Sequence, residues 1–240
     1  SVPGRGHIVV QHGNAALAEV LAMGCWSETT TFGLDDGATW RAVSIQAGGR
    51  GCTVLHEGVI VGEIDWGLLG EHNIANALAA IAAADHIGVP VATACAALNR
   101  FAGVKRRLQL RGTVAGIEVF DDFAHHPTAI AATVAALRAE RPMARLIAVL
   151  ELRSNTMRMG IHREGIAPAL TAADRAYVHA APDLPWPAET VIQGERLTVG
   201  RDLATLLRDL VASLTPGDRV LIMSNGGFGN LHERLLSELQ

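Results

Sequence analysis

From residue 113 onward the sequence alternates strand-like and helix-like runs with little between them. Strands are expected at 113–121, 145–151, 175–180 and 219–224, with a short one near 190. Helices are expected at 127–140, 161–172, 201–214 and 229–239. Strands separated by whole helices do not pair as hairpins. They build βαβ units, so this half of the chain is α/β, with a mostly parallel sheet flanked by helices.

The first hundred residues read differently. His7–Gln11 is strand-like and 15–23 helix-like, and 39–64 alternates apolar and polar residues around glycine breaks, the pattern of antiparallel hairpins. Ile74, Ala77, Leu78, Ile81 and Ala84 share one face of a helix over 71–87, which Gly88 and Pro90 end; a second helix is expected at 91–101. The basic, glycine-bounded "GVKRRLQLRG" (103–112) connects the halves, and the domain boundary is placed between 106 and 107. A chain of 240 residues, 49% hydrophobic, has material for two such cores.

Composition removes several classes of function. The net charge is −4 with no block of like charges, so the concentrated basic patch that nucleic acid or an anionic membrane surface needs is missing. Cys25, Cys52 and Cys95 are widely spaced with no CxxC, which suggests neither a disulfide framework nor a zinc cluster and fits a reducing cytoplasm. The apolar stretch 74–98 is alanine-rich and broken by Asp85, His86 and Pro90, as packed helices are and membrane spans are not.

Four short motifs carry chemistry. "EVFDDFAHHPTAI" (118–130) puts Asp121, Asp122, His125 and His126 where a strand runs into a Pro-started helix, the ligand-binding end of an open parallel sheet. The carboxylates suit ribose hydroxyls or a metal-bound phosphate and the histidines suit anions; equally, the aspartates cap the turn and the histidines are solvated. "GEHNIANALAA" (70–80) sets His72, Asn73 and Asn76 at a helix start, with Asn73 and Asn76 on one face. Their amides pair donor with acceptor, as a base edge requires, and Asn73 alternatively caps the helix. "LELRSNTMRMG" (150–160) follows the next strand; Arg153 and Arg158 suit carboxylates, with Ser154 and Asn155 adding neutral hydrogen bonds, or the stretch is a polar loop. "MSNGGFGNLHERLL" (223–236) does not fit GxGxxG and reads as a tight turn against the sheet. Nowhere do the 240 residues contain GxxxxGK[ST].

In order and spacing, "GEHNIANALAAIAAA", "FAGVKRRLQ" and "VFDDFAHHPTAI" resemble the Mur ligases, from the second half of their central ATPase domain through the linker into the Rossmann-like C-terminal domain. "LELRSNTMRMG" resembles the branch that joins UDP-N-acetylmuramate to the tripeptide L-Ala-γ-D-Glu-meso-diaminopimelate in cell-wall recycling. The resemblance implies an ATP- and Mg2+-dependent carbon–nitrogen ligase that converts a carboxylate to an acyl phosphate for attack by an amine. It assigns adenine to Asn73 and Asn76 with His72 beside them, the ATP phosphates to Arg107, and ribose to Asp122 at the linker hinge. His125 and His126 face the amino substrate and reaction centre, and Arg153, Ser154 and Asn155, with Arg158 nearby, recognise that substrate.

Two departures are mild: Leu152 stands where the branch has proline, and Arg158 where it has lysine. A third is large. The UDP-sugar domain, the phosphate loop and the magnesium ligands are implied to precede Ser1, so the chain is expected to be a C-terminal fragment with no metal site and no ligation by itself. The rival readings are a UDP-N-acetylmuramate–L-alanine ligase, a metal-dependent phosphoesterase built on "DDFAHH", and a non-catalytic binding module. Nothing in the sequence sets an oligomeric state.

Overall fold

The computed structural model describes residues 2–240. The chain forms two compact units, Ser1–Gly103 and Val104–Gln240. The division falls three residues before the expected boundary, because Arg106 is bonded into the second unit through Asp121 and the carbonyl of Ser224.

The first unit holds a five-stranded sheet ordered β1 (His7–Gln11), β2 (Glu28–Gly33), β3 (Trp40–Val43), β4 (Gly51–His56), β5 (Val59–Asp65). β1, β2 and β3 are parallel, and only β3–β4–β5 form the expected antiparallel hairpins. The sequence reading missed β2, "ETTTFG". Its threonines favour strand, but it buries little beyond Gly33 and so lacks an apolar alternation. Helix α1 (Ala15–Ala22) follows β1; α2 (Glu71–His86) lays Ile74, Ala77, Leu78 and Ile81 onto Trp40, Val54 and Ile64, and α3 (Val91–Asn99) adds Cys95. Each buried valine, leucine or isoleucine among them contributes about 1.5–3 kcal/mol by leaving water.

The second unit is a six-stranded sheet ordered β10 (Leu197–Gly200), β9 (Arg175–His179), β8 (Leu146–Glu151), β11 (Arg219–Met223), β7 (Ile117–Asp122), β6 (Gln109–Val114). All pairs are parallel except β6–β7. The expected strand 113–121 is therefore split by a hairpin turn, with 113–114 ending β6 and β7 forming the second arm. Ala115 and Gly116 have φ of 50° and 75°, the left-handed pair that a tight two-residue hairpin turn needs. Helix α4 (Pro127–Glu140) agrees with expectation. The helix expected at 161–172 is the shorter α6 (Arg163–Ala169), and an unforeseen single turn of helix, α5 (Asn155–Arg158), precedes it.

No strand forms near 190. The β-branched run Thr190–Val191–Ile192 lies in and beside a short helix, α7 (Ala188–Val191), started by Pro187, and the edge strand comes later at β10. Helices α8 (Leu203–Ser213) and α9 (Leu231–Glu238) close one face, burying Leu206, Leu210, Leu231 and Leu235 against Val119, Ile147, Val220 and Ile222. Among the described residues no helix is long and apolar enough to cross a membrane.

Candidate active site

The parallel register aligns the carboxyl ends of the central strands. Asp122 and Leu150 both pair with Met223, and Glu151 pairs with His179. The chemistry-bearing residues of three motifs thus reach one sheet edge.

Asp121 and Asp122 are both 3% exposed but do different work. Asp122 accepts from the backbone N–H of Leu108 (2.8 Å) and of Ala124 (2.7 Å) and from the Thr133 hydroxyl (3.4 Å). It fastens the linker turn to the start of α4. Within that turn Arg106 and Leu108 have φ of 60° and 46°, a left-handed conformation that non-glycine residues keep only when their surroundings hold it. Arg107, between them, is exposed, with its guanidinium carbon 5.7 Å from the centre of the Phe123 ring. Asp121 instead faces two guanidinium groups, Arg106 Nε at 3.3 Å and Arg111 at 3.8 Å, and the His232 ring, Nε2 at 3.2 Å. Burial alone would raise its pKa, but His232 and Arg106 outweigh burial and hold it below the ordinary carboxylate range.

Glu151 ends β8 and accepts a hydrogen bond from the Ser224 hydroxyl, which in turn accepts from the Gly226 N–H at 2.8 Å. The turn after β11 is thereby tied to β8. Arg153 crosses this turn: a Cβ on Gly226 would lie 2.3 Å from Arg153 Nε, so any larger residue there would push the Arg153 side chain aside. The guanidinium stays exposed, 3.9 Å from Glu151.

The rest of that motif divides. Ser154 is buried, its hydroxyl accepting from Met157 N–H as the cap of α5, which makes it a structural group in this structure. Asn155 is exposed. Arg158 is engaged bidentately by Asp183 at 2.8 and 3.3 Å.

His125 and His126 lie on the turn into α4. His125 Nδ1 is 2.9 Å from the Phe123 carbonyl oxygen, and His126 caps the helix by accepting from Thr128 N–H at 3.3 Å. The His126 ring stands edge-on to His162, 4.4 Å between centres. Partial shielding from water, then His162 and His125, hold the His126 pKa below the ordinary histidine value. His126 and residues 160–165 border a cavity of about 410 Å³.

In the first unit, Asn73 donates its amide to the Leu69 carbonyl at 2.7 Å, turning back onto the chain before α2, while Asn76 one turn later is exposed, as is His72. Sequence reading overlooked Arg106, Ser224, Gly226, His162 and His232. Only Arg106 carried a local signal, as the other half of "KRRL"; the rest depend on which strand lies beside which.

Two models of one known family match the chain. The Mur ligase middle domain matches residues 2–84, and the glutamate ligase domain of Mur ligases matches 106–226. The chain belongs to the Mur ligase family.

Within it, the chain is 46% identical, over 99% of its length and 52% of the relative's, to the UDP-N-acetylmuramate–L-alanyl-γ-D-glutamyl-meso-2,6-diaminoheptandioate ligase of Escherichia coli (strain K12). The crystal structure of a murein peptide ligase from Psychrobacter arcticus 273-4 superimposes with a TM-score of 0.76 at 39% identity, covering 99% of this chain and 52% of that one. A UDP-N-acetylmuramate–L-alanine ligase of Desulforapulum autotrophicum is 35% identical over 88% of this chain and 49% of its own. The chain spans about half the length of the curated relatives it matches.

Proposed function

We propose that this chain is part of a cytoplasmic, ATP-dependent carbon–nitrogen ligase that joins UDP-N-acetylmuramate to the tripeptide L-Ala-γ-D-Glu-meso-diaminopimelate in peptidoglycan recycling. The observation that carries the reading is Arg153, an exposed guanidinium laid over Gly226 at the carboxyl edge of the sheet. A peptide bearing several carboxylates needs a planar cationic fork of this kind, whereas a single alanine needs only a small hole. The 46% identity to the E. coli tripeptide ligase against 35% to the L-alanine ligase favours the same choice.

ATP supplies the phosphoryl group that activates the sugar carboxylate. Of the groups assigned to it, Asn76 and Arg107 are exposed and fit that use, with His72 beside Asn76. Asn73 keeps its amide oxygen after donating to Leu69. Asp122 pins the turn that presents Arg107 through the bonds from Leu108, Ala124 and Thr133, and it is the carboxylate we assign to ribose. Arg153 and Asn155 orient the peptide, with Ser154 bracing the loop from within. Arg158, matched by Asp183, reads a second carboxylate by exchanging that partner. Mg2+ is assigned to no residue here: among the described residues no group of three or more His, Cys, Asp or Glu side chains could hold a metal.

Arg153→Lys keeps the charge and loses the fork. In the complete protein its KM for tripeptide should rise about tenfold or more, with ATP saturation unchanged. Paired kinetics on both substrates read this, and a normal tripeptide KM would remove Arg153 from the site.

A further inference from the structure

Arg107 lies on the linker turn, Asp122 ends β7 and Arg153 follows β8. Bonds from all three segments converge on Ser224, the first residue after β11, which is 0% exposed. Its backbone N–H donates to the Asp122 carbonyl at 3.1 Å. Its carbonyl accepts from Arg106 Nη2 at 2.6 Å. Its hydroxyl donates to Glu151 and accepts from the Gly226 N–H at 2.8 Å. A hydroxyl donates and accepts at once, so serine can join a carboxylate to an N–H where neither an ammonium nor a second carboxylate could.

One branch from Ser224 leads to Arg107. Its neighbours Arg106 and Leu108 are left-handed, at φ of 60° and 46°, and non-glycine residues stay so only where their surroundings hold them. Leu108 is held by the Asp122 carboxylate. Arg106 is held by Asp121, by the Ser224 carbonyl and by the Phe123 N–H, which donates to its carbonyl at 2.9 Å. The direction in which Arg107 leaves the chain is therefore set in part at Ser224.

The other branch leads to Arg153. Its side chain lies against Gly226, so the position of that glycine decides where the guanidinium sits. Glu151, the other partner of the hydroxyl, ends β8 and stands 3.9 Å from the same guanidinium.

We propose that Ser224 is a positioning residue shared by the two substrates. Its carbonyl side sets the arginine assigned to the ATP phosphates, and its hydroxyl side sets the arginine assigned to the peptide carboxylate. Fully buried, it acts through those arginines and not by touching either substrate. The hydroxyl anchors both sides, because its bonds to Glu151 and Gly226 fix the turn whose first carbonyl receives Arg106. This rests on the ligase reading above.

The test is steady-state kinetics of the complete protein at saturating UDP-N-acetylmuramate, with ATP and tripeptide each varied. Ser224→Ala should raise both KM values by about threefold to tenfold, the range of one hydrogen bond, and by more than kcat falls. A merely structural role would lower the folded fraction, and so the apparent kcat, with both KM values unmoved. Ser224→Cys keeps a weaker donor and acceptor in place and should lie between wild type and Ser224→Ala for both substrates.

Arg106→Asn separates the branches, since asparagine tolerates the left-handed conformation but is too short to reach Ser224. It should raise the ATP KM and leave the tripeptide KM at its wild-type value. The proposal is overturned if Ser224→Ala moves only one KM or neither, or if Arg106→Asn leaves the ATP KM normal or raises the tripeptide KM equally. A wild-type protein that turns over no tripeptide with ATP overturns the ligase reading, and this assignment with it. Normal turnover with KM values indifferent to Ser224 overturns the assignment alone.

Discussion

Asp121 faces two arginines and a histidine, whereas Asp122, the next residue, binds two backbone N–H groups and a hydroxyl. The sequence made both legible as carboxylates at a ligand edge but could not separate them, because successive strand residues point to opposite faces and the partners lie up to 111 positions away. Asp121 has a depressed pKa in the folded chain. Its stabilisation is therefore complete above the unfolded value of about 3.9 and is lost as pH falls through the lower folded value. Asp121→Asn should remove that part of the acid dependence. Urea unfolding at about pH 6 and about pH 3 should show a smaller loss of stability on acidification in the variant than in wild type. An identical loss would mean that the cation cluster stabilises nothing.

The parallel strands β8, β9 and β11 were readable as elements because each centres on a short apolar run bounded by turns. Their order was not readable. β11, last in sequence, inserts between β7 and β8, and this alone brings the "SNGG" turn beside Arg153. A tight turn was foreseen there, but its service to another strand was not. Gly226→Ala should displace the Arg153 guanidinium and raise the tripeptide KM while leaving ATP saturation unchanged. Combined with Arg153→Ala it should add almost nothing, because one interaction cannot be lost twice. Additive effects in that double-mutant cycle would show that Gly226 acts apart from Arg153. The hairpin β6–β7 and the short helix α7 were misread for local reasons: a left-handed Ala–Gly pair split one strand, and a proline start overrode a β-branched run.

Each of the two units has its own core, and the matched family domains fall one on each. The α/β class was legible from the alternation of periods, whereas the selective edge emerged only with the sheet order. If that edge reads a multiply charged peptide, substrate choice is the property to measure. The direct experiment compares kcat/KM for ADP release by the complete protein with UDP-N-acetylmuramate and either the tripeptide or L-alanine, with the 240-residue chain by itself as control. Loss of a charge-assisted pair is worth on the order of 1.5–3 kcal/mol, so the tripeptide should be preferred by about tenfold to a hundredfold, and the isolated chain should release no ADP. Equal or better use of L-alanine, or tripeptide-dependent ADP release by the isolated chain, would contradict the account.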